Sequence, residues 1–333
     1  MRSSGWADVQ SLDLDVLERA RDWKREGRAV WLLTVAQTFG ASPRPPGSLA
    51  VIRDDGILVG SVSGGCIEDD LVAHRGDFTG RVPHFARYGV TADEAQRFGL
   101  PCGGELEVII EPDVSVAQLD ALLARITAGD IVARHVDLAS GDWSLETAAA
   151  GDECERSDTR FTSIHGPRWR LLLVGASEIA HYLAEIAVTV DFQVSVCDPR
   201  EEYRTAWRTP GARWIPGMPD DAVLAFRPDG HSVVVAVSHD PKLDDMALLE
   251  ALRAPAFYVG AVGSDRTSAE RRKRLALFDL TPAQIGRLHG PVGLPIGSRT
   301  PPEIALAILA DLVAARNGVV LERRDADAAR RRA

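Results

Sequence analysis

The most constraining feature of the sequence is an uninterrupted apolar run, Leu171–Val174, that is followed at once by a glycine. Such a run is typical of a parallel strand that is buried on both faces of a sheet. Apolar residues then recur at the spacing of one helix face, before a second apolar strand at 194–197. That face consists of Ile179, Leu183, Ile186 and Val190. Strand, helix and strand in this order predict a β-α-β unit.

The same alternation continues towards the end of the chain. Helices are predicted at 220–226, 243–252 and 268–277, strands at 232–237 and 257–259, and a last helix after Thr300. Alternating strands and helices imply a doubly wound parallel sheet. We therefore predict an α/β chain whose second domain, residues 169–318, is Rossmann-like, with a frayed tail over 319–333.

The turn after the first strand carries an altered dinucleotide-binding pattern. Gly175 begins it, but Ser177 stands where the second glycine would let a pyrophosphate approach the backbone. Asp198, at the end of the next strand, has the position of a carboxylate that binds ribose. The possible nucleotide or anion site comprises Gly175, Ser177, Asp198, His239, Gly263 and Ser264. The alternative is that Ser177 caps the helix and Asp198 caps a turn before Pro199.

The first half of the chain predicts a mixed α+β domain over residues 1–137. Helices are expected at 11–27, 67–74 and 116–128, with strands at 29–35 and 105–110 and a hairpin formed by 48–52 and 57–60. Residues 138–168 are polar and poor in β-branched side chains, which indicates a linker or an exposed hairpin. His135 and His165 are expected at the surface.

Two glycine–cysteine clusters are the most unusual features of this half. Ser63, Gly64 and Gly65 precede Cys66 between a strand and a helix, and Cys102 precedes Gly103 and Gly104. Glycines leave backbone N–H groups open to an anion, and a cysteine near a helix N-terminus has a lowered thiol pKa. We expect a ligand site here, whereas Cys154 and Cys197 are taken as a linker thiol and a core residue.

Two charged residues accompany these clusters. Arg44 lies in a proline-rich loop and suits a phosphate, because a guanidinium matches phosphate oxygens. Glu68 is either a partner of the helix dipole or a carboxylate of the site. The predicted cofactor-binding residues are Arg44, Ser63, Gly64, Gly65, Cys66, Glu68, Cys102, Gly103 and Gly104.

Composition excludes several classes of function. The net charge of −10 argues against nucleic acid as a partner, because phosphate backbones attract basic surfaces. No apolar run approaches the length of a membrane span. The first residues, MRSSGWADVQ, lack the apolar core of an export signal, and four scattered cysteines suggest free thiols. A cytoplasmic protein is expected.

Four segments closely resemble the XdhC/CoxI family. They are GSVSGGCIEDDL (60–71), LPCGGELEVIIEP (100–112), YVGAVGSDRTSAERRKRL (258–275) and HGPVGLPIGSRTPPEIALAILADL (289–312). The resemblance extends from about residue 29 to 316. One departure concerns the start of the Rossmann-like domain, where many members have Gly-x-Gly followed by His and this chain has Ser177 and Glu178.

The resemblance implies a molybdenum cofactor chaperone with no turnover of its own. Members of the family bind the cofactor, hold it while a cysteine desulfurase supplies the terminal sulfur, and help to insert it into hydroxylases such as xanthine dehydrogenase and carbon monoxide dehydrogenase. Cys66 and Cys102 would contact the molybdenum through the cofactor, since a thiolate is a soft ligand. A homodimer is expected on general grounds.

Two alternatives remain open. The chain could be an NAD(P)-dependent oxidoreductase that uses its Rossmann-like domain, with Asp198 on the ribose. Cys66 could instead be a redox-active or persulfide-carrying thiol.

Overall fold

Contacts within the chain divide it into two compact units. The computed structural model describes residues 12–39, 44–65, 67–89 and 105–319. One unit lies within Gln10–Arg168 and is called here the amino-terminal unit. The other begins at Trp169 and is called the carboxyl-terminal unit. No helix in the described ranges is both long and apolar enough to cross a membrane.

The amino-terminal unit contains two antiparallel sheets. Its elements are α1 (Leu12–Arg25), β1 (Val30–Phe39), β2 (Leu49–Arg53), β3 (Leu58–Gly60), α2 (Glu68–His74), β4 (His84–Tyr88), β5 (Glu105–Glu111), α3 (Val116–Ala128), β6 (Val132–Asp137), β7 (Trp143–Thr147), β8 (Glu155–Arg156) and β9 (Arg160–His165). The first sheet has the order β3-β2-β1-β5-β4, and the second has the order β7-β6-β9-β8. The predicted hairpin is present as the antiparallel pair of β2 and β3.

The five-stranded sheet is covered on both faces. Helices α1 and α3 bury Leu17 and Leu122 against one face, together with Leu32 and Val51 of the strands. On the other face, Ile67 and Leu71 of the α2 region pack against Leu33, Ile52 and Val108. The loop that precedes α2 is therefore anchored on a packed core.

Residues 138–168, which composition indicated as a linker, belong to the amino-terminal unit. They supply β7, β8 and β9, and β9 pairs along its whole length with β6. Phe161 is fully buried and packs with Val136 against Ala36 and Ile109 of the first sheet. The segment looked like a linker because β7 and β8 are mostly exposed, so that their polar residues hid the strands.

A buried polar network joins the two sheets. Arg134 is fully buried and donates to Glu111 at 2.7 Å, to Ser163 at 3.1 Å and to Thr34 at 3.1 Å. His165 shares a hydrogen bond of 2.8 Å with Ser163 and is only 3% exposed. His135 is also buried. The expectation of surface histidines was therefore wrong at both positions, because strand alternation directs them into the packed layers.

The carboxyl-terminal unit is the predicted doubly wound sheet. Its elements are β10 (Trp169–Val174), α4 (Glu178–Thr189), β11 (Phe192–Cys197), α5 (Glu201–Ala206), β12 (Ala212–Trp214), α6 (Pro219–Phe226), β13 (Ser232–Ala236), α7 (Pro241–Arg253), β14 (Tyr258–Ala261), α8 (Asp265–Leu275), α9 (Pro282–Gly286), β15 (Leu288–His289) and α10 (Pro301–Arg316). All neighbouring strands are parallel, in the order β12-β11-β10-β13-β14-β15.

That strand order is the 3-2-1-4-5-6 order of Rossmann folds, which confirms the predicted fold class. Helices α4 and α10 pack on one face of the sheet, where Leu183 and Ile308 meet Leu171. Helices α6 and α7 cover the other face, where Val223 and Leu248 meet Leu172. The strand order reverses between β10 and β13, and ligands of open α/β sheets bind at the carboxyl ends of strands beside such a reversal.

Candidate functional site

The first candidate site is the glycine loop between β3 and α2. Ser61–Gly65 leads from the end of the strand towards the helix, and Gly64 and Gly65 form its exposed part. Both glycines have left-handed backbones, with φ of 88° and 122°. Such angles favour glycine because a Cβ would be strained there. The residues flanking the exposed part are buried, so the loop is held at both ends.

Glu68 organises this loop from the first turn of α2. One carboxylate oxygen accepts hydrogen bonds from the Ser61 hydroxyl at 2.7 Å and from the amides of Val62 and Ser63 at 2.9 Å each. The other accepts from the Ser63 hydroxyl and from the amide of Gly65 at 3.1 Å. Five donors of the loop therefore converge on one side chain that is only 6% exposed.

The pKa of Glu68 reflects this arrangement. Burial alone would raise the pKa, but the hydroxyls of Ser63 and Ser61 and the surrounding amides lower it to about 2. Glu68 is therefore ionised at neutral pH, and its charge is satisfied within the loop.

The glycine amides point into the protein. The Gly64 amide donates to the Ser61 hydroxyl at 2.9 Å, and the Gly65 amide donates to Glu68. We expected these two N–H groups to be open to an anion. In this conformation they are used inside the loop, because the buried carboxylate of Glu68 is the nearer anion.

Arg44 lies beside the same loop. Its Nε donates to the carbonyl oxygen of Ser61 at 3.1 Å, so the proline-rich segment and the glycine loop are in direct contact. The structure thus brings together Arg44, Ser63, Gly64, Gly65 and Glu68. The remaining predicted members of this site, Cys66, Cys102, Gly103 and Gly104, lie outside the described residues.

A third cysteine lies close to this region. The sulfur of Cys154 is 2.8 Å from the point that a Cβ on Gly47 would occupy. Cys154, Pro46 and Arg156 also line a cavity of about 340 Å³. Burial raises the pKa of the Cys154 thiol. Composition suggested a linker thiol at Cys154, and no spacing in the sequence indicates that it packs against the proline-rich loop.

The second candidate site is the carboxyl edge of the parallel sheet. Gly175 has φ of 101°, and a Cβ there would stand 2.3 Å from Cα of Ser238. The first and fourth strands of the Rossmann order therefore continue into loops that touch. Ser177 caps α4 by accepting from the Ala180 amide at 3.4 Å, which is the structural alternative weighed for this residue.

Asp198 lies at the same edge, and its carboxylate is already engaged. It accepts from the Ala176 amide at 2.9 Å and from the Arg200 guanidinium at 2.8 and 2.7 Å. Burial would raise its pKa, but the bonds from Arg200 and Ala176 outweigh burial and lower it. The side chain expected on a ribose is thus 3% exposed and saturated by its own chain.

The other residues predicted at this edge are exposed. His239 follows β13 with a left-handed backbone, φ of 61°. Gly263 and Ser264 follow β14, and Ser264 caps α8 by accepting from the Thr267 amide at 3.1 Å. The edge therefore gathers Gly175, Ser177, Asp198, His239, Gly263 and Ser264 as strand order predicts.

An ion pair that the sequence did not suggest fixes two of these loops. Asp244 accepts from the Ser238 hydroxyl at 2.6 Å and from Arg271 at 2.8 Å. Arg271 in turn donates to the Val262 carbonyl at 3.0 Å. Asp244 and Arg271 are both at least 97% buried. This pair ties the loop after β13 to the loop after β14.

Metal-ligating side chains do not cluster in the described ranges. Among those residues, no group of three or more His, Cys, Asp or Glu side chains could hold a metal ion.

Comparison with known proteins links both units to one family. The family model described as the XdhC Rossmann domain matches residues 171–312. A second model, described as the XdhC and CoxI family, matches residues 23–89.

Two relatives align with most of the chain. A probable xanthine dehydrogenase subunit from Bacillus subtilis is 25% identical over 319 residues, which are 87% of this chain and 94% of the relative. The molybdenum cofactor insertion chaperone PaoD of Escherichia coli is 25% identical over 317 residues, 90% of this chain and 88% of PaoD. A third, YqeB of Escherichia coli, is 30% identical over 173 residues, so the chain spans only 31% of its length.

A solved structure has the same fold. The crystal structure of a xanthine dehydrogenase from Bacillus halodurans superposes with a TM-score of 0.72 at 24% identity, covering 94% of this chain and 98% of that one. This likeness extends across both units and concerns the fold alone.

Proposed function

Because the chain belongs to the XdhC/CoxI family, we propose that it is an accessory protein of molybdenum cofactor maturation. It binds the cofactor as cargo, holds it during sulfuration and delivers it to a hydroxylase of the xanthine dehydrogenase or carbon monoxide dehydrogenase type. The observation that carries the proposal is the alignment with PaoD, named a molybdenum cofactor insertion chaperone, over 90% of this chain.

The proposal assigns the cargo to the amino-terminal unit. Molybdenum bound to a dithiolene suits thiolate contacts, which we assign to Cys66 and Cys102. The anionic phosphate of the pterin suits a guanidinium, which we assign to Arg44 beside the Ser61 carbonyl. Since Gly64 and Gly65 use their amides inside the loop, Arg44 carries more of this role than we expected.

The partners follow from the same proposal. A cysteine desulfurase supplies sulfur to the held cofactor, and a molybdenum hydroxylase receives it in the cytoplasm. We also propose a homodimer, since twofold dimers are the commonest oligomers of soluble proteins.

Stoichiometric capture tests the function. The purified protein is mixed with molybdenum cofactor, separated by gel filtration and assayed for pterin fluorescence after oxidation. We expect about one pterin per chain, with a fall of at least about tenfold in affinity for Cys66→Ala or Cys102→Ala, since losing a contact of about 1.4 kcal/mol costs that factor. Cys197→Ala, a thiol buried in the carboxyl-terminal unit, is the control. Absence of capture by the unmodified protein contradicts the proposal, and capture unaffected by both variants contradicts the assignment of the thiols.

The rival function, an NAD(P)-dependent oxidoreductase, has less support. Its ribose carboxylate, Asp198, is filled by Arg200 and Ala176, and Ser177 is a helix cap.

A further inference from the structure

The Glu68 carboxylate has no acceptor capacity left for a ligand. A carboxylate offers about four lone-pair sites, and five donors of the Ser61–Gly65 loop already point at this one. A residue that contacts the cargo needs a free polar atom at the surface. Glu68 is instead buried beneath the loop, so its part in the site has to be indirect.

The pattern of bonds is centred on the position of residue 66. The amide before it, that of Gly65, donates to Glu68 at 3.1 Å. The amide after it, that of Ile67, donates to the Ser63 hydroxyl at 3.1 Å, and that hydroxyl donates to Glu68. The backbone on both sides of residue 66 is thus tied to one pair of side chains, Ser63 and Glu68.

A loop of this composition needs such ties. Gly64 and Gly65 bring the largest conformational freedom of any residue, and freezing a backbone residue costs about 1–2 kcal/mol. A Cβ on Gly65 would meet nothing within 4 Å, so packing does not hold the exposed part of the loop. Hydrogen bonds to a charged group are the strong ones, and here they supply the order that packing does not.

We propose that Glu68 is a positioning residue, which together with Ser63 fixes the Ser61–Gly65 backbone and thereby sets where Cys66 meets the cargo. This inference rests on the proposed function, because the cargo is what the fixed loop serves. It reassigns Glu68 and Ser63 from direct contact with the cofactor to support of the loop.

The test compares two neutral isosteres in the same helical turn. Glu68→Gln keeps the shape of the side chain but turns an amide N–H₂ towards loop donors. Asp69→Asn removes a charge from the adjacent, exposed residue and is the control. Hydrogen exchange at the amides of residues 62, 63 and 65 is measured by NMR or by mass spectrometry, and cofactor affinity is measured by pterin fluorescence.

In Glu68→Gln we expect exchange at these amides to rise by at least about tenfold, because lost charge-assisted bonds are worth more than 1.4 kcal/mol. Cofactor affinity should fall by a similar factor, while exchange in β1 and β5 stays unchanged. Asp69→Asn should alter neither quantity. Unchanged loop exchange in Glu68→Gln overturns the proposal, and so does faster exchange with full affinity, which would make Glu68 merely structural.

Two further comparisons keep the test decisive. Ser63→Ala removes the link to Ile67 without changing charge, and it substitutes for Glu68→Gln if that variant fails to fold. It should reproduce the loss of affinity, and full affinity with a loosened loop counts against the proposal. If the unmodified protein captures no cofactor, the proposed function fails, while the exchange measurement still shows whether Glu68 orders the loop.

Discussion

At the scale of single residues, two buried carboxylates determine what each candidate site offers. Glu68 and Asp198 are both almost fully buried, and donors of their own chain saturate both. Sequence reasoning located the two residues correctly but predicted outward roles for them. It could not do better, because the roles depend on which N–H groups the folded loops turn inward.

The stability contributed by Glu68 depends on pH. Its pKa falls from the usual 4.5 to about 2 in the folded protein, so its contribution is complete above about pH 4.5 and is lost as the pH falls through 2. A shift of this size corresponds to about 3 kcal/mol. We therefore expect Glu68→Gln to lower the free energy of unfolding at pH 7 by about that amount.

Urea denaturation at a series of pH values checks this prediction. The difference between the unmodified protein and Glu68→Gln should shrink steadily between pH 5 and pH 2. The same comparison with Asp69→Asn should give a small difference at every pH. A constant difference for Glu68→Gln would mean that its ionisation does not stabilise the loop.

At the scale of elements, the local signals that end helices were the most reliable. Helix α3 was predicted over the same residues that the structure shows, because Ser115 forms a capping box with Gln118 and Gly129 closes the helix with a left-handed backbone. Strand β4 was missed, since it is an edge strand with half-exposed residues. The strands of 138–168 were missed for a related reason, because their pairing with β6 is not a local property.

The two sheets of the amino-terminal unit should depend strongly on Arg134. Its guanidinium joins β1, β5, β6 and β9 and lies 4.4 Å from the ring centre of Trp143. Breaking a buried ion pair on one side leaves an unpaired charge, which costs about 3–5 kcal/mol. Arg134→Met should lower the free energy of unfolding by that amount in urea denaturation.

The double variant Arg134→Met/Glu111→Gln should lose less stability than the sum of its single variants, because it leaves no unpaired charge. Arg87→Met is a matched control, since Arg87 is 66% exposed and Glu107 keeps its bond from Arg156. That change should cost no more than about 1 kcal/mol. Equal costs for Arg134→Met and Arg87→Met would contradict the buried network.

At the scale of the whole molecule, the carboxyl-terminal unit was the more predictable. Its β-α-β periodicity is local, so strand order and the residues gathered at the carboxyl edge followed from the sequence. The family resemblance, in contrast, was needed to connect the glycine–cysteine clusters with a cofactor. Two units with separate hydrophobic cores agree with family models that match each part of the chain.

The protein should not bind NADH in the micromolar range. Asp198 is occupied by Arg200, and the loop at Gly175 touches Ser238, so neither the ribose nor the pyrophosphate finds its usual partners. Titration of the full chain with NADH should give no saturable enhancement of nucleotide fluorescence, with a dehydrogenase as positive control. Saturation at micromolar NADH would favour the oxidoreductase function.

The short distance in sequence between Asp198 and Arg200 has a consequence for related chains. The aspartate ends a strand, and an arginine two residues later folds back to neutralise it before any sugar arrives. We expect other Rossmann-like proteins with Asp-Pro-Arg at this turn to have kept the architecture of dehydrogenases while losing their coenzyme. Three letters of sequence would then suffice to separate such descendants from working redox enzymes.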